Sequence, residues 1–112
     1  HLVQRAETAR AAGVAEIYLD PGIGFGKTPA HNWALLAGVP HLVAAGWPVA
    51  IGTSRKAFLG LLLGSGDVAP APVDDRLEGS VATAVRAALD GAAVVRVHDV
   101  AATVGALRAA AA

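Results

Sequence analysis

Four side chains carry chemistry that a packed core does not need: Asp20, Lys56, Arg96 and His98. Each sits at the end of a short apolar run. "AEIYL" leads into Asp20, "WPVAIGT" leads into Ser54, Arg55 and Lys56, and "AAVVRVH" carries Arg96 and His98 ahead of Asp99. A guanidinium and an imidazole, beside the N–H groups of a helix start near Asp99, suit an anion such as phosphate or pyrophosphate. A carboxylate suits the N–H groups of a heterocycle or a developing cation, and an ammonium suits a carbonyl or ring nitrogen. An acid that reads a ring, beside cations that hold a departing anion, suggests displacement of pyrophosphate from a heterocyclic substrate.

The stretch "DPGIGFGKT", Asp20 to Thr28, looks like a nucleotide phosphate loop but does not have its spacing. The phosphate-loop pattern needs a glycine where Pro21 stands, and the dinucleotide pattern needs one where Lys27 stands. Its glycines at 22, 24 and 26 instead let backbone approach a flat ligand and let the loop move. Phe25, a large apolar ring on that loop, suggests stacking or packing. Each residue also has an ordinary explanation. Asp20-Pro21-Gly22 suits a simple turn, Lys56 a solvated helix, and Arg96 a structural pairing with Asp99 or Glu78. His31 and His41 read as surface helix residues, and His98 has no partner at metal-ligand spacing. All these explanations would have to hold together, and three charged strand ends in one chain favour a site.

The elements that position these residues follow from periodicity. Helical patterns cover 1–13, 29–46, a shorter stretch from near Ser54, 76–91 and 99–112, with Thr28 and Asp99 as candidate N-caps and Pro29 at the first helical position. The three apolar runs read as buried strands, and "GSGDVAPAPVDD" as an exposed loop. Strands alternating with helices make parallel βαβ units with both sheet faces covered. Two completions are natural, a doubly wound open sheet or a (β/α)8 TIM barrel. In either, all three carboxyl ends point to one rim, and strand alternation places Arg96 and His98 on one face.

Composition narrows the classes. The chain has 112 residues, 54% hydrophobic and 4% aromatic, so its core is aliphatic. Nine basic residues balance nine acidic ones, which removes the electrostatic argument for a nucleic-acid partner. No cysteine is present, which excludes disulfides and thiolate chemistry. No apolar run suggests a membrane span or an export signal. The chain opens at His1 inside a helical pattern, and so reads as a piece of a longer protein.

"LDPGIGFGKT…HNWALL", "VAIGTSRKAFLG", "RLEGSVATAV" and "VVRVHDV", in this order, resemble the carboxyl-terminal half of the dihydropteroate synthase family over essentially the whole chain. The resemblance implies α/β architecture as a (β/α)8 TIM barrel, of which residues 1–112 supply about the last three βα units and the preceding helix. It implies a transferase of folate biosynthesis, a sulfonamide target. That enzyme joins 6-hydroxymethyl-7,8-dihydropterin pyrophosphate to 4-aminobenzoate, giving 7,8-dihydropteroate and pyrophosphate. Asp20 and Lys56 match its catalytic residues, and Asp20, Gly52 and Lys56 its pterin contacts. Phe25, Ser54 and Lys56 match the aminobenzoate pocket, and Arg96 and His98 the pyrophosphate pair. Ala57 departs from the serine of many relatives. The resemblance further implies a cytoplasmic homodimer, and Mg2+ held by an amino-terminal half outside these residues, with no metal ligand in this chain. By itself the chain is expected to be inactive and marginally folded. The other readings are a pterin-binding methyltransferase acting on a methylated folate, which needs no anion pair, and a non-catalytic half-barrel that serves binding or assembly.

Overall fold

The structure, a computed structural model, describes residues 1–63 and 71–112. Among these residues the order is α1 (Leu2–Ala11), α2 (Pro29–Ala37), α3 (Val39–Ala44), β1 (Ala50–Ile51), α4 (Ala57–Leu63), a 3-10 turn (Val73–Asp75), α5 (Leu77–Leu89), β2 (Val94–Val95) and α6 (Val100–Ala111). β1 and β2 are parallel, with Ala50 opposite Val94 and Ile51 opposite Val95. A parallel bridge joins Leu19 to Val49, through Leu19 N–H to the Pro48 carbonyl and Ala50 N–H to the Leu19 carbonyl, both at 2.8 Å. The three segments therefore run the same way and lie side by side in sequence order. α2 and α3 cross between the first and second, and α4 and α5 between the second and third, as parallel neighbours require.

Regular pairing is shorter than the apolar runs. Among the described residues each outer segment has a partner on one side only. Coverage is also incomplete. Tyr18 and Val94 are 48% and 39% exposed, so the expectation of strands buried on both faces does not hold at these two positions.

The 29–46 helix is two helices. Pro40 has no N–H, and its ring bars an unbroken helix through residue 36. Gly38 accordingly closes α2, donating to the Ala34 and Leu35 carbonyls, and its own carbonyl accepts from His41 and Leu42 to begin α3. The other end of α2 is as expected: the Thr28 hydroxyl accepts from His31 N–H at 3.2 Å, with Pro29 next to it. α4 begins at Ala57 rather than near Ser54. Asp99 precedes α6 but its side chain caps nothing. Of the long Gly/Pro/Asp loop, residues 64–70 lie outside the described residues. Ala71 is buried, its N–H on the Gly60 carbonyl at 2.8 Å, so the loop is not exposed throughout.

The core is aliphatic, as composition required. Ile23, Val39, Val49, Ile51 and Leu59 are fully buried, each worth about 1.5–3 kcal/mol of removed apolar surface. Trp33 of α2 meets Phe58 of α4 edge-on, ring centroids 4.8 Å apart. These contacts lock the helices that carry the glycine loop and the Ser54–Lys56 turn to one sheet.

Candidate active site

The loop after the first strand segment is built by its glycines. Gly22, Gly24 and Gly26 have φ of +72°, +90° and +61°, left-handed values that side chains disfavour. The alternation drives Ile23 into the core and leaves Phe25 69% exposed. Side chains then tie the loop down. Asp20 Oδ1 accepts from Gly22 N–H at 2.8 Å. Lys27 Nζ donates to the Gly22 and Phe25 carbonyls at 2.8 and 3.1 Å. The buried Asn32 of α2 accepts from Gly24 N–H through Oδ1 at 2.8 Å. The glycines thus serve three left-handed steps in a pinned loop, not looseness.

The second strand end makes a turn at Ser54 and Arg55. Arg55 has φ +58°, uncommon for a residue with a side chain. Its N–H donates to Ser80 Oγ at 2.8 Å, its carbonyl accepts from Arg76 at 2.9 Å, and its guanidinium pairs with Asp99 at 3.0 Å. This turn aims Lys56 back over the glycine loop. Its ammonium lies 4.6 Å from the centre of the Phe25 ring and donates to the Ile23 carbonyl. Burial pushes Lys56 below the usual ammonium range, the Arg96 cation adds to this, Asp20 opposes it, and Lys27 lowers it a little further.

At the third end β2 stops at Val95, and beyond it Arg96 N–H still donates to the Ile51 carbonyl at 2.9 Å. Arg96 reaches across to Asp20 Oδ2 at 2.9 Å, joining residues 76 positions apart, and so does not pair with Asp99 or Glu78. His98 turns to Ser54, Nδ1 to Oγ at 2.6 Å. Both line one cavity of about 230 Å3, with Phe25, Gly52, Ser54 and Lys56 also in its lining. At Gly52 an added Cβ would stand 2.8 Å from the Arg96 guanidinium. A second cavity of about 320 Å3 lies beyond Phe25 and Lys56, which border both, and is lined further by Gly24, Lys27, Asn32 and Ala57. An apolar groove of about 300 Å3 between α2 and α5 has none of the strand-end charges.

The structure therefore brings together every expected site residue: Asp20 by its ion pair with Arg96, and Gly52, Phe25, Ser54, Lys56, Arg96 and His98 around the cavity. Sequence reasoning missed Asn32, Arg76 and Ser80 as the groups that hold loop and turn. Asn32 carried a readable signal, an amide four residues before Leu36 on the same buried helix face. Arg76 and Ser80 carried none, because the Arg55 backbone that they hold lies more than 20 residues away.

Sequential parallel strands with crossover helices, and an acid, an ammonium and a guanidinium on the carboxyl rim, define an α/β protein of the kind that carries its site at the strand ends. Residues 1–98 match the family described as pterin binding enzyme, and the chain belongs to that family. It is 50% identical over 109 residues to the dihydropteroate synthase of Mycobacterium leprae, a match covering 96% of this chain and 38% of that protein. Dihydropteroate synthase from Thermus thermophilus, solved in complex with 4-aminobenzoate, superposes with a TM-score of 0.88 at 43% identity over 98% of this chain and 41% of its own. The same enzyme solved with 6HMPPP gives 0.87 at 42% identity, covering 96% and 42%. The fold is that of part of a TIM barrel, and the chain spans about 38% of the length of the Mycobacterium leprae relative.

Proposed function

We propose that this chain is the carboxyl-terminal portion of a single pterin-binding barrel domain whose activity is dihydropteroate synthesis. The carrying observation is the convergence of three separate strand ends: Lys56, Arg96 and His98 border two adjoining cavities that share Phe25 and Lys56, and Asp20 joins them through its ion pair with Arg96. Two adjoining spaces suit two substrates that must meet. The cavity with Gly52, Arg96 and His98 takes the pterin pyrophosphate, and Phe25 and Lys56 border the aminobenzoate.

In the reaction the aminobenzoate nitrogen forms a bond to the pterin methylene carbon. The carbon–oxygen bond to pyrophosphate breaks, and pyrophosphate leaves with the electron pair. Asp20 has acceptor capacity left after its bonds to Gly22 and Arg96, because each carboxylate oxygen takes two hydrogen bonds. It accepts from the pterin ring N–H groups and stabilises the cation that develops as the bond breaks. Arg96 and His98 donate to the departing anion. Lys56 donates to the pterin, and the proton lost by the amine leaves to solvent. Among the described residues no three His, Asp or Glu side chains gather to hold a cation, and Asp20 and Asp99 are each paired with an arginine. These residues do not by themselves supply a Mg2+ ligand set, and no step is routed through one.

The test is a chimera in which this chain replaces the matching segment of the Thermus thermophilus enzyme. Turnover of both substrates, with pyrophosphate released and dihydropteroate formed, is expected. Arg96→Ala should lower kcat/KM roughly 10- to 150-fold, the worth of one charge-assisted hydrogen bond. A folded chimera with no turnover refutes the assignment. Turnover indifferent to Arg96 removes its anion role and favours a pterin enzyme that releases no pyrophosphate.

A further inference from the structure

The geometry points to Ser54 as a positioning residue that fixes which ring nitrogen of His98 carries the proton, so that the ring presents an Nε2–H donor to the cavity. The inference rests on the proposed anion role of His98 and deepens it, moving Ser54 from aminobenzoate contact to control of its neighbour.

Ser54 is 8% exposed, and its Oγ has two polar partners among the described residues. One is His98 Nδ1 at 2.6 Å, the other the His98 backbone N–H at 3.0 Å. A hydroxyl has one hydrogen and two lone pairs. The backbone N–H can only donate, so it occupies a lone pair. If Nδ1 carried the ring proton it would also donate to Oγ, and the hydroxyl hydrogen would have no protein acceptor among the described residues and could turn only to the cavity. If Nδ1 is bare it accepts that hydrogen, and every group is satisfied. The ring proton is then on Nε2. The neighbouring Thr53 hydroxyl does not compete. It lies 2.6 Å from Thr83 Oγ1, whose own hydrogen goes to the Gly79 or Ser80 carbonyl.

The placement of Ser54 is enforced from behind. Arg55, at φ +58°, is held by Ser80, Arg76 and Asp99, and Asp99 directly follows His98. Two cross-links, Ser54 to His98 and Arg55 to Asp99, therefore set the register between the two strand ends.

The test reads the ring nitrogens directly. The full chain is labelled with 15N-histidine, His98 is assigned with His98→Asn, and two-bond proton–nitrogen spectra separate bare from protonated nitrogens; the same spectra on the chimera serve if the chain alone is incompletely folded. A bare Nδ1 and protonated Nε2 are expected. Ser54→Ala should give a tautomer mixture and weaken inorganic pyrophosphate binding to the chimera about threefold to tenfold, and Ser54→Thr should restore both. A protonated Nδ1 in the parent, an unchanged tautomer in Ser54→Ala, or a folded Ser54→Thr that restores neither overturns the inference. Because the spectra need no substrate, the tautomer can fail while dihydropteroate synthesis stands, and the reverse.

Discussion

Gly52→Ala separates the electrostatics of the site from the stability of the fold. Gly52 has an ordinary backbone conformation, and what a Cβ would meet is the Arg96 guanidinium, 2.8 Å from its terminal nitrogen and 3.2 Å from Cζ and Nε. That tip must retreat by roughly 0.6 Å or more to reach ordinary contact, and a retreat away from Asp20 brings its 2.9 Å bond to the limit of hydrogen-bond length. The pair is half-exposed, so its loss costs only about 0–1 kcal/mol. Replacing glycine at a compatible position returns about 0.4–1 kcal/mol by restricting the unfolded chain. Stability should therefore stay within about 1 kcal/mol. Anion binding should not, because a displaced guanidinium gives up a charge-assisted bond of about 1.5–3 kcal/mol, roughly 10- to 150-fold in pyrophosphate affinity. Calorimetric titration of the chimera with pyrophosphate reads the second quantity, and urea unfolding the first. In an Arg96→Ala background the same methyl should cost nothing more. Full affinity in Gly52→Ala, additive losses in the double variant, or a stability loss above about 2 kcal/mol would each refute the reasoning.

Lys56 carries a pH prediction. Its folded pKa lies below the unfolded 10.5, chiefly through burial, so between the two values the unfolded chain binds more protons and stability rises with pH. The penalty is fully present below the lowered pKa. Lys56→Met should remove that rise in urea midpoints, and identical pH slopes for the two proteins would contradict the burial argument. Asn32→Ala removes the acceptor of Gly24 N–H and should cost about 1–3 kcal/mol, with faster amide exchange at Gly24; unchanged exchange would mean the loop is held without it. Thr28→Ala should destabilise by about 1 kcal/mol and Thr28→Ser by little, since only the hydroxyl caps α2; equal losses in urea unfolding would count against the cap.

Much of the local structure was legible because it is settled by sterics within a few residues. Thr28 and Pro29 mark the start of α2 whatever lies around them, and the apolar runs before Asp20, Ser54 and Arg96 are short and closely followed by charged residues, which favours strand segments over helices. The break at Gly38 was equally local, set by Pro40, but the reading of 29–46 as one helical pattern passed over it. The site was legible as a set of residues for a related reason: parallel strands separated by helices leave their carboxyl ends on one rim, so side chains at those ends must approach each other.

Partners were another matter. An arginine near the end of a strand pairs with whichever carboxylate the fold brings within about 3 Å, and periodicity does not rank Asp20 against Asp99. The structure gave Asp99 to Arg55 and Asp20 to Arg96, turned His98 toward Ser54, and put Arg55 in a left-handed conformation held by two residues from α5 and the turn before it. The sequence by itself determined which groups stand on the rim, because local geometry and strand direction are short-range properties. Which group touches which was decided only by tertiary structure, because hydrogen bonds and ion pairs depend on ångström distances between segments that the chain connects only through packed helices.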